Sequence, residues 1–326
     1  MRHVLRRFVL GAACAASLAL CSCTDPFPQK DGMLHIVAVG LDYRNASAGF
    51  RLEEGGSVVT VDPLSGVTAD VTELGECLRV QCAGRGYVAD VTYLLAYGDD
   101  ASSAQEHYPT RERILSALAS LDPGPEDMVL LVCSGHGGYD EDADEAFLVA
   151  GINPDSGVYE PLHVSEVAEA MGRLGCPSAV IGDFCYSGSL GTHGALETEV
   201  RGILGSAASY LQTAYACSCG EAEVSYEVEL PCGETHGLGV AGILDGLGWV
   251  HQDSIFSVVA QDGYEIVVHG GLDNTPTKAG AVLFGDVAED AGRYIRSVTA
   301  SWPATRRTHP FIYHGESEVA LLPPGK

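Results

Sequence analysis

Apolar runs rich in β-branched residues alternate along this chain with segments of helical periodicity. The apolar runs lie at 33–43, 87–98, 127–137, 178–189 and 200–209. The helical segments lie at 67–82, 109–121, 162–175 and 236–249, with a hairpin or loop insertion at 50–63 and a closing strand or pair at 309–322. Continuously apolar strands are typical of a parallel sheet that is buried on both faces. The pattern therefore predicts an α/β fold in which helices cover both faces of the sheet.

The N-terminal segment predicts export. A basic start precedes an apolar run from Phe8 to Leu20, which is too short to cross a bilayer as a mature helix. Leu20 and the small Ser22 before Cys23 resemble a bacterial lipobox, which implies cleavage before Cys23 and acylation of that residue. A frame ending at Cys21 and a plain signal peptide are the alternatives. The expected organisation is a signal peptide at 1–22, a tether at 23–32 and one domain at 33–322.

The charge balance restricts the partners. The chain has 44 acidic and 18 basic side chains and a net charge of −26, which becomes −29 when the three Arg of residues 1–22 are removed. Such a surface repels nucleic acid and attracts cationic ligands. We therefore expect a protein or peptide partner and no nucleic acid. The membrane would be reached through the lipid on Cys23, which places the protein at the cell envelope.

Eleven cysteines raise the question of disulfides, because export permits them. Cys77 and Cys82 are close enough in sequence to pair. Cys232 could pair with Cys217 or Cys219 across an acidic insertion at 217–232. The chain has no Cys-x-x-Cys pair, so a zinc site is not expected.

Two chemically active residues directly follow apolar runs. His136 lies in the stretch SGHGG, and Cys185 lies in GDFCYSGS. Parallel strands that are joined by one crossover helix are commonly neighbours, and ligands bind beyond their carboxyl ends. We therefore expect His136 and Cys185 to lie near each other although they are 49 positions apart.

A thiol and an imidazole at such a position favour nucleophilic chemistry. The imidazole can accept the thiol proton, and the thiolate is the reactive form. The competing interpretation is a buried core cysteine, which suits Cys133 and Cys176 in their apolar surroundings. It suits Cys185 less well, because that residue lies in a polar, glycine-flanked turn.

Five motifs in order resemble the caspase and metacaspase peptidases over about residues 33–322. They are GVTADV at 66–71, PTRERIL at 109–115, CSGHGG at 133–138, DFCYSG at 183–188 and HGLGVAGIL at 236–244. Two residues depart from the usual pattern around the nucleophile. Phe184 replaces a small residue, and Tyr186 replaces a histidine.

The resemblance implies a three-layer sandwich with a mostly parallel, six-stranded sheet. It implies that Cys185 attacks a peptide carbonyl and that His136 is the general acid and base. The backbone N–H groups of Gly137 and Cys185 would form an oxyanion hole.

The resemblance also implies a specificity pocket formed by Asp70, Ser134 and Asp183, and therefore cleavage after Arg or Lys. Each acid has another interpretation. Asp70 could cap its own helix, and Asp183 could accept hydrogen bonds from nearby backbone.

No cofactor is expected, although calcium activates many metacaspases. The acidic segment 139–145 fails as the start of an EF-hand loop, because Glu145 stands where glycine is required and Gly151 where glutamate is required. The first functional hypothesis is a cysteine endopeptidase. The alternatives are a catalytically silent, caspase-like binding module and a hydrolase of non-peptide bonds.

Overall fold

The computed structural model describes residues 32–44, 49–50, 59–194, 213–273, 280–313 and 319–325. The first eight strands are β1 (Met33–Leu41), β2 (Val88–Ala96), β3 (Met128–Ser134), β4 (Gly137–Asp140), β5 (Glu145–Ile152), β6 (Tyr159–His163), β7 (Ser178–Asp183) and β8 (Thr213–Cys217). The others are β9 (Glu227–Glu229), β10 (Thr235–Gly237), β11 (Trp249–Gln261), β12 (Tyr264–Leu272), β13 (Val282–Leu283), β14 (Phe311–Tyr313) and β15 (Ala320–Leu322). The helices are α1 (Val67–Gly84), α2 (Arg111–Ser120), α3 (Val164–Gly172), α4 (188–194), α5 (Leu238–Gly246) and α6 (Phe284–Thr299).

Six strands form the central sheet in the order β14-β8-β7-β3-β1-β2. All neighbouring pairs are parallel except β14 with β8, which is antiparallel. The mixed α/β class and the mostly parallel six-stranded sheet are thus confirmed. Because β3 and β7 are adjacent and parallel, their carboxyl ends lie side by side.

The apolar strands are buried on both faces, as their composition predicts. In β1, Ile36 and Ala38 pack on one side of the sheet, whereas Val37 and Val39 pack on the other. Helices α1, α5 and α6 contribute to the first core, and α2 and α3 contribute to the second. The result is a three-layer sandwich with the sheet in the middle.

Helix α2 begins where its sequence predicts. The Thr110 side chain accepts a hydrogen bond from Arg113 N at 3.2 Å, which satisfies one free donor at the helix start. Ile114 and Leu118 are fully buried on the sheet side. Replacing either residue with Ala should lower the free energy of unfolding by about 2–5 kcal/mol.

Two expectations for the C-terminal third of the chain are corrected. The helix expected at 236–249 is shorter, because 235–237 form strand β10 and Trp249 begins strand β11. The closing segment 309–322 does contain two strands, but they pair with other strands rather than with each other. Strand β14 joins the central sheet, whereas β15 pairs with β13.

Some expected elements are only partly described. The strand expected at 200–209 lies outside the described residues, and β8 is the next described strand. Most of the insertion at 50–63 also lies outside them. Its ends pair as a hairpin requires, since the backbone groups of Phe50 and Val59 exchange hydrogen bonds of 2.7 and 2.8 Å.

None of the possible disulfides is formed among the described cysteines. The eight described cysteines are all free thiols. Cys77 and Cys82 lie on one helix five positions apart, about 140° around the helix axis, so their side chains diverge. Cys232 instead directs its Sγ at Glu234 Oε2 at 3.6 Å. Within the described part of the chain, no helix is both long and apolar enough to span a membrane.

Candidate active site

His136 lies in the turn between β3 and β4 and is half-buried. Its Nε2 lies 2.7 Å from the backbone carbonyl oxygen of Asp62. A carbonyl oxygen can only accept, so this contact favours the tautomer in which Nε2 carries the proton. Nδ1 is then left as the basic ring nitrogen.

Tyr43 contacts both the backbone and the ring of His136. The Tyr43 hydroxyl accepts a hydrogen bond from His136 N at 2.9 Å and donates one to the Val149 carbonyl at 2.7 Å. The two rings are 4.8 Å apart between centroids. Tyr43 has φ +53°, an unusual backbone conformation for a non-glycine residue. The tyrosine is fully buried, and it fixes both the backbone and the ring of His136.

Cys185 lies in the turn that follows β7 and is half-buried. Gly137, which follows His136, packs directly against the backbone of Cys185. A Cβ at Gly137 would overlap the Cys185 carbonyl. The Cys185 Sγ lies 3.9 Å from the Ser225 carbonyl oxygen. Burial raises the pKa of the thiol, and backbone hydrogen bonds at Ser225 and Gly137 oppose that rise.

Asp70 is fully buried in the first turn of α1, but it does not cap that helix. Its carboxylate accepts from Ser134 Oγ at 2.7 Å and from Gly237 N at 3.1 and 3.2 Å. His236 Nδ1 lies 3.0 Å from Asp70 Oδ1. Ser134 therefore contacts the predicted pocket acid directly, and the capping interpretation of Asp70 is wrong.

Asp183 ends β7 and is also buried. Its Oδ2 accepts from Val240 N at 2.8 Å, and its Oδ1 accepts from Ser225 Oγ at 2.7 Å. Val240 is the third residue of α5, so Asp183 satisfies a free donor at the start of that helix. Asp183 therefore accepts a hydrogen bond from nearby backbone, which was one of the two interpretations of this residue.

The two carboxylates converge on one point. A Cβ at Gly237 would overlap Asp183 Oδ2 and lie 3.1 Å from Asp70 Oδ2, so only glycine fits between them. Burial raises the pKa of Asp70, and the nearby Asp183 raises it further. Burial also raises the pKa of Asp183, although the hydrogen bonds from Val240 and Ser225 counteract this. Such a pair is suited to a cationic group.

Phe184 does not narrow the space around the acids. Asp183 reaches α5 on one side of the sheet, whereas Phe184 packs in the core formed by α2 and α3. Tyr186 takes a left-handed backbone with φ +65°, and its N–H donates to the Glu223 carbonyl at 2.8 Å.

The acidic segment 139–145 covers the end of β4, the turn at 141–144 and the first residue of β5. Asp140 Oδ1 accepts from the backbone N–H groups of Asp142 and Ala143, and its Oδ2 lies 3.3 Å from His163 Nε2. The carboxylate is thus engaged by its own turn and by a neighbouring histidine. Among the described residues, neither group of clustered metal-ligating side chains includes this segment.

Sequence reasoning missed several neighbours of these residues. Tyr43, the Asp62 carbonyl, Ser225 and His236 all contact predicted site residues. Backbone carbonyls carry no sequence signal. His236 did lie in a recognised motif, but the motif alone does not indicate that it faces Asp70.

Comparison with known proteins identifies the fold. No family model matches the chain, and no curated protein matches it in sequence. The structure is similar to that of caspase-1 from Spodoptera frugiperda, with a TM-score of 0.51 and 10% sequence identity. That match covers 92% of this chain and 96% of the other. The chain has a caspase-like fold.

A second solved structure is also similar. It is a Geobacter sulfurreducens protein, with a TM-score of 0.46 and 15% identity, over 86% of this chain and 92% of that one.

Proposed function

We propose that this protein is a cysteine endopeptidase in which Cys185 is the nucleophile and His136 is the general acid and base. The supporting observation is the packing of the turn after β3 against the turn after β7, where Gly137 contacts the Cys185 backbone. This juxtaposition occurs at the carboxyl edge of a caspase-like sheet. Ligands bind at that edge in open parallel sheets.

The proposed reaction begins with transfer of the thiol proton from Sγ to His136 Nδ1. The thiolate attacks the scissile carbonyl carbon, a C–S bond forms, and the carbonyl electron pair moves to oxygen. The N–H groups of Gly137 and Cys185 stabilise that oxyanion, by about 3–4 kcal/mol for a strong donor. Collapse expels the amine, which takes the proton from His136, and water then hydrolyses the thioester.

The surroundings of His136 suit this role. The Asp62 carbonyl accepts the Nε2 proton at 2.7 Å, so Nδ1 is the nitrogen available to the thiol. The imidazolium formed in the reaction would keep that hydrogen bond. The Tyr43 hydroxyl holds the His136 backbone, and the Tyr43 ring packs against the imidazole and restricts its rotation.

The proposed specificity is cleavage after Arg or Lys. Two buried acids with raised pKa values gain most from a cation, and a guanidinium can bind a carboxylate through two parallel hydrogen bonds. Ser134 orients Asp70, and Ser225 orients Asp183.

The proposed location is the cell envelope, with acyl chains on Cys23. This proposal rests on the N-terminal sequence alone. Mass spectrometry of the mature N-terminus should find a lipid-modified Cys23, and Cys23→Ser should release the protein or leave it unprocessed. An unmodified N-terminus at another residue would contradict it.

The decisive experiment is a peptide-library cleavage profile combined with labelling by a thiol-reactive peptide probe. The wild type should cleave after Arg or Lys and take up the probe at Cys185. Cys185→Ala should do neither, whereas the control Cys232→Ser should do both, since Cys232 is the other half-buried described cysteine. If the wild type neither cleaves nor takes up the probe, the silent binding module is favoured.

A further inference from the structure

Behind the acid pair lies a cluster of four metal-ligating side chains. Glu73 comes from α1, Glu234 and His236 come from the segment at β10, and His251 comes from β11. One ligand atom from each lies within 4.8 Å of all the others. Glu73 is remote in sequence from the other three residues, and the fold brings it to them.

The spacing fits a four-coordinate ion. His251 Nδ1 lies 3.2 Å from Glu73 Oε2 and 3.8 Å from Glu234 Oε2. His236 Nε2 lies 3.6 Å from Glu73 Oε1. In a tetrahedral zinc site with bonds of about 2.0–2.1 Å, neighbouring ligand atoms lie about 3.3–3.4 Å apart. Small side-chain shifts would therefore complete the geometry.

Three atoms that face the cluster make no hydrogen bond, since the 3.2 Å contact between His251 Nδ1 and Glu73 Oε2 lacks hydrogen-bond geometry. They are Glu73 Oε2, His236 Nε2 and His251 Nδ1. The Glu73 side chain is 2% exposed and the His236 side chain is fully buried. A buried polar atom without a partner costs about 1–3 kcal/mol. Three of them around one point indicate a missing common partner.

The hydrogen bond between His236 and Asp70 indicates that the missing common partner is positively charged. His236 Nδ1 contacts Asp70 Oδ1 at 3.0 Å, and Asp70 also accepts from Ser134 and Gly237. With its proton on Nδ1, the ring directs the Nε2 lone pair at the Glu73 carboxylate. Two lone pairs facing each other repel, and a metal ion bound between them would remove that repulsion. A carboxylate behind a histidine is the usual support of a metal-bound imidazole.

We infer that Glu73, Glu234, His236 and His251 bind a divalent transition-metal ion of the Zn²⁺ class. Two imidazoles with two carboxylates suit zinc and its neighbours rather than calcium or magnesium. Four protein ligands leave no open position, so the site is structural rather than catalytic. The ion enters past Glu234 and His251, which are 24% and 16% exposed in their side chains.

Such an ion would link three parts of the molecule. It would fasten the β11–β12 hairpin to α1 and hold the β10 segment between them. Through His236 it would also support Asp70, which ties the metal site to the buried acid pair. The absence of a Cys-x-x-Cys pattern does not exclude this site, because its ligands are not cysteines.

The test is metal binding by the purified protein after stripping with EDTA. Titration with Co²⁺ should give the strong visible absorption of a four-coordinate ion, and Zn²⁺ should displace it at one equivalent per chain. His251→Ala should weaken Zn²⁺ binding by about 100-fold or more, because loss of a supporting residue alone costs 10–100-fold. Glu73→Gln should do the same with little change in side-chain size. Zn²⁺ should raise the melting temperature of the wild type but not of either variant.

Two controls separate this site from other binding. His269→Ala changes a histidine of the same hairpin outside the cluster and should bind as the wild type does. His107→Ala removes the second described group, Glu106, His107 and Asp262, and should also bind normally. The inference is overturned if His251→Ala binds like the wild type, if His107→Ala alone loses binding, or if thiol alkylation abolishes it. Failure of the wild type to bind micromolar Zn²⁺ would also overturn it.

Discussion

The carboxyl edge of the sheet carries two pairs of functional candidates that differ in how firmly the fold holds them. Cys185 and His136 are half-buried and have few side-chain partners. Asp70 and Asp183 are buried, and every one of their carboxylate oxygens accepts a hydrogen bond. Substitutions in the first pair should affect folding little. Substitutions in the second pair should break buried hydrogen bonds and therefore lower stability. Activity and stability should therefore separate at one pair and coincide at the other.

The largest effect should be on the first pair. Cys185→Ala should lower peptidase turnover by at least about 1,000-fold, because the proposed acyl intermediate forms on this thiol. The melting temperature should stay within a few degrees of the wild type, as a half-buried thiol contributes little packing. His136→Ala should behave in the same way. Near-normal turnover in either purified variant would remove the proposed dyad.

The second effect separates charge from structure at Asp183. Asp183→Ala leaves Val240 N and Ser225 Oγ without partners, so the free energy of unfolding should fall by about 2–3 kcal/mol in a chemical denaturation experiment. Turnover of Arg and Lys peptides should fall by about 100-fold.

Asp183→Asn is the matched control for that variant. It keeps an acceptor oxygen but loses the charge, so stability should return to within about 1 kcal/mol while turnover of Arg and Lys peptides stays low. An Asn variant that prefers cationic peptides as strongly as the wild type would contradict the pocket assignment.

The third effect concerns the support of His136. Tyr43→Phe removes a hydroxyl that contacts His136 N and the Val149 carbonyl, at a cost of about 1 kcal/mol in stability. Because the ring would still pack, we expect kcat to fall by about tenfold while KM changes little. Tyr159→Phe, in the neighbouring aromatic contact, is the control. A change in KM alone would point to a binding role instead.

The smallest effect comes from a third acid at the same edge. Asp42, next to Tyr43, is 2% exposed, and burial raises its pKa to about 6. Since its folded pKa lies above the unfolded value, the folded state binds the proton more tightly, and stability is lost as pH rises through about 6. The loss between about pH 5 and pH 7 is on the order of 1 kcal/mol.

Asp42→Asn should flatten that part of the stability profile in denaturant titrations at several pH values. Asp155→Asn, at an exposed turn, should leave the profile as it is. Equal slopes for wild type and Asp42→Asn would contradict the assignment of this pH dependence to Asp42.

Most of the sheet was predictable because it is encoded locally. The apolar runs around Ile36 and Leu130 carry enough hydrophobic surface to fix buried strands, and Thr110 marks a helix start by its own hydrogen bond. The segments without such a pattern were not predicted. Strands β4 to β6 and the long β11–β12 hairpin, where many residues of β11 are exposed, form separate small sheets.

The sequence by itself determined which residues stand at the carboxyl edge, because His136 and Cys185 directly follow strands that had to be buried. Only the tertiary structure decided what those residues face. The Asp62 carbonyl, the Gly237 gap between two carboxylates, and the meeting of Glu73 with His236 and His251 each join segments that are far apart in the chain. Strand and helix periodicity report whether a residue points inward. The partner it meets there depends on how separate segments pack.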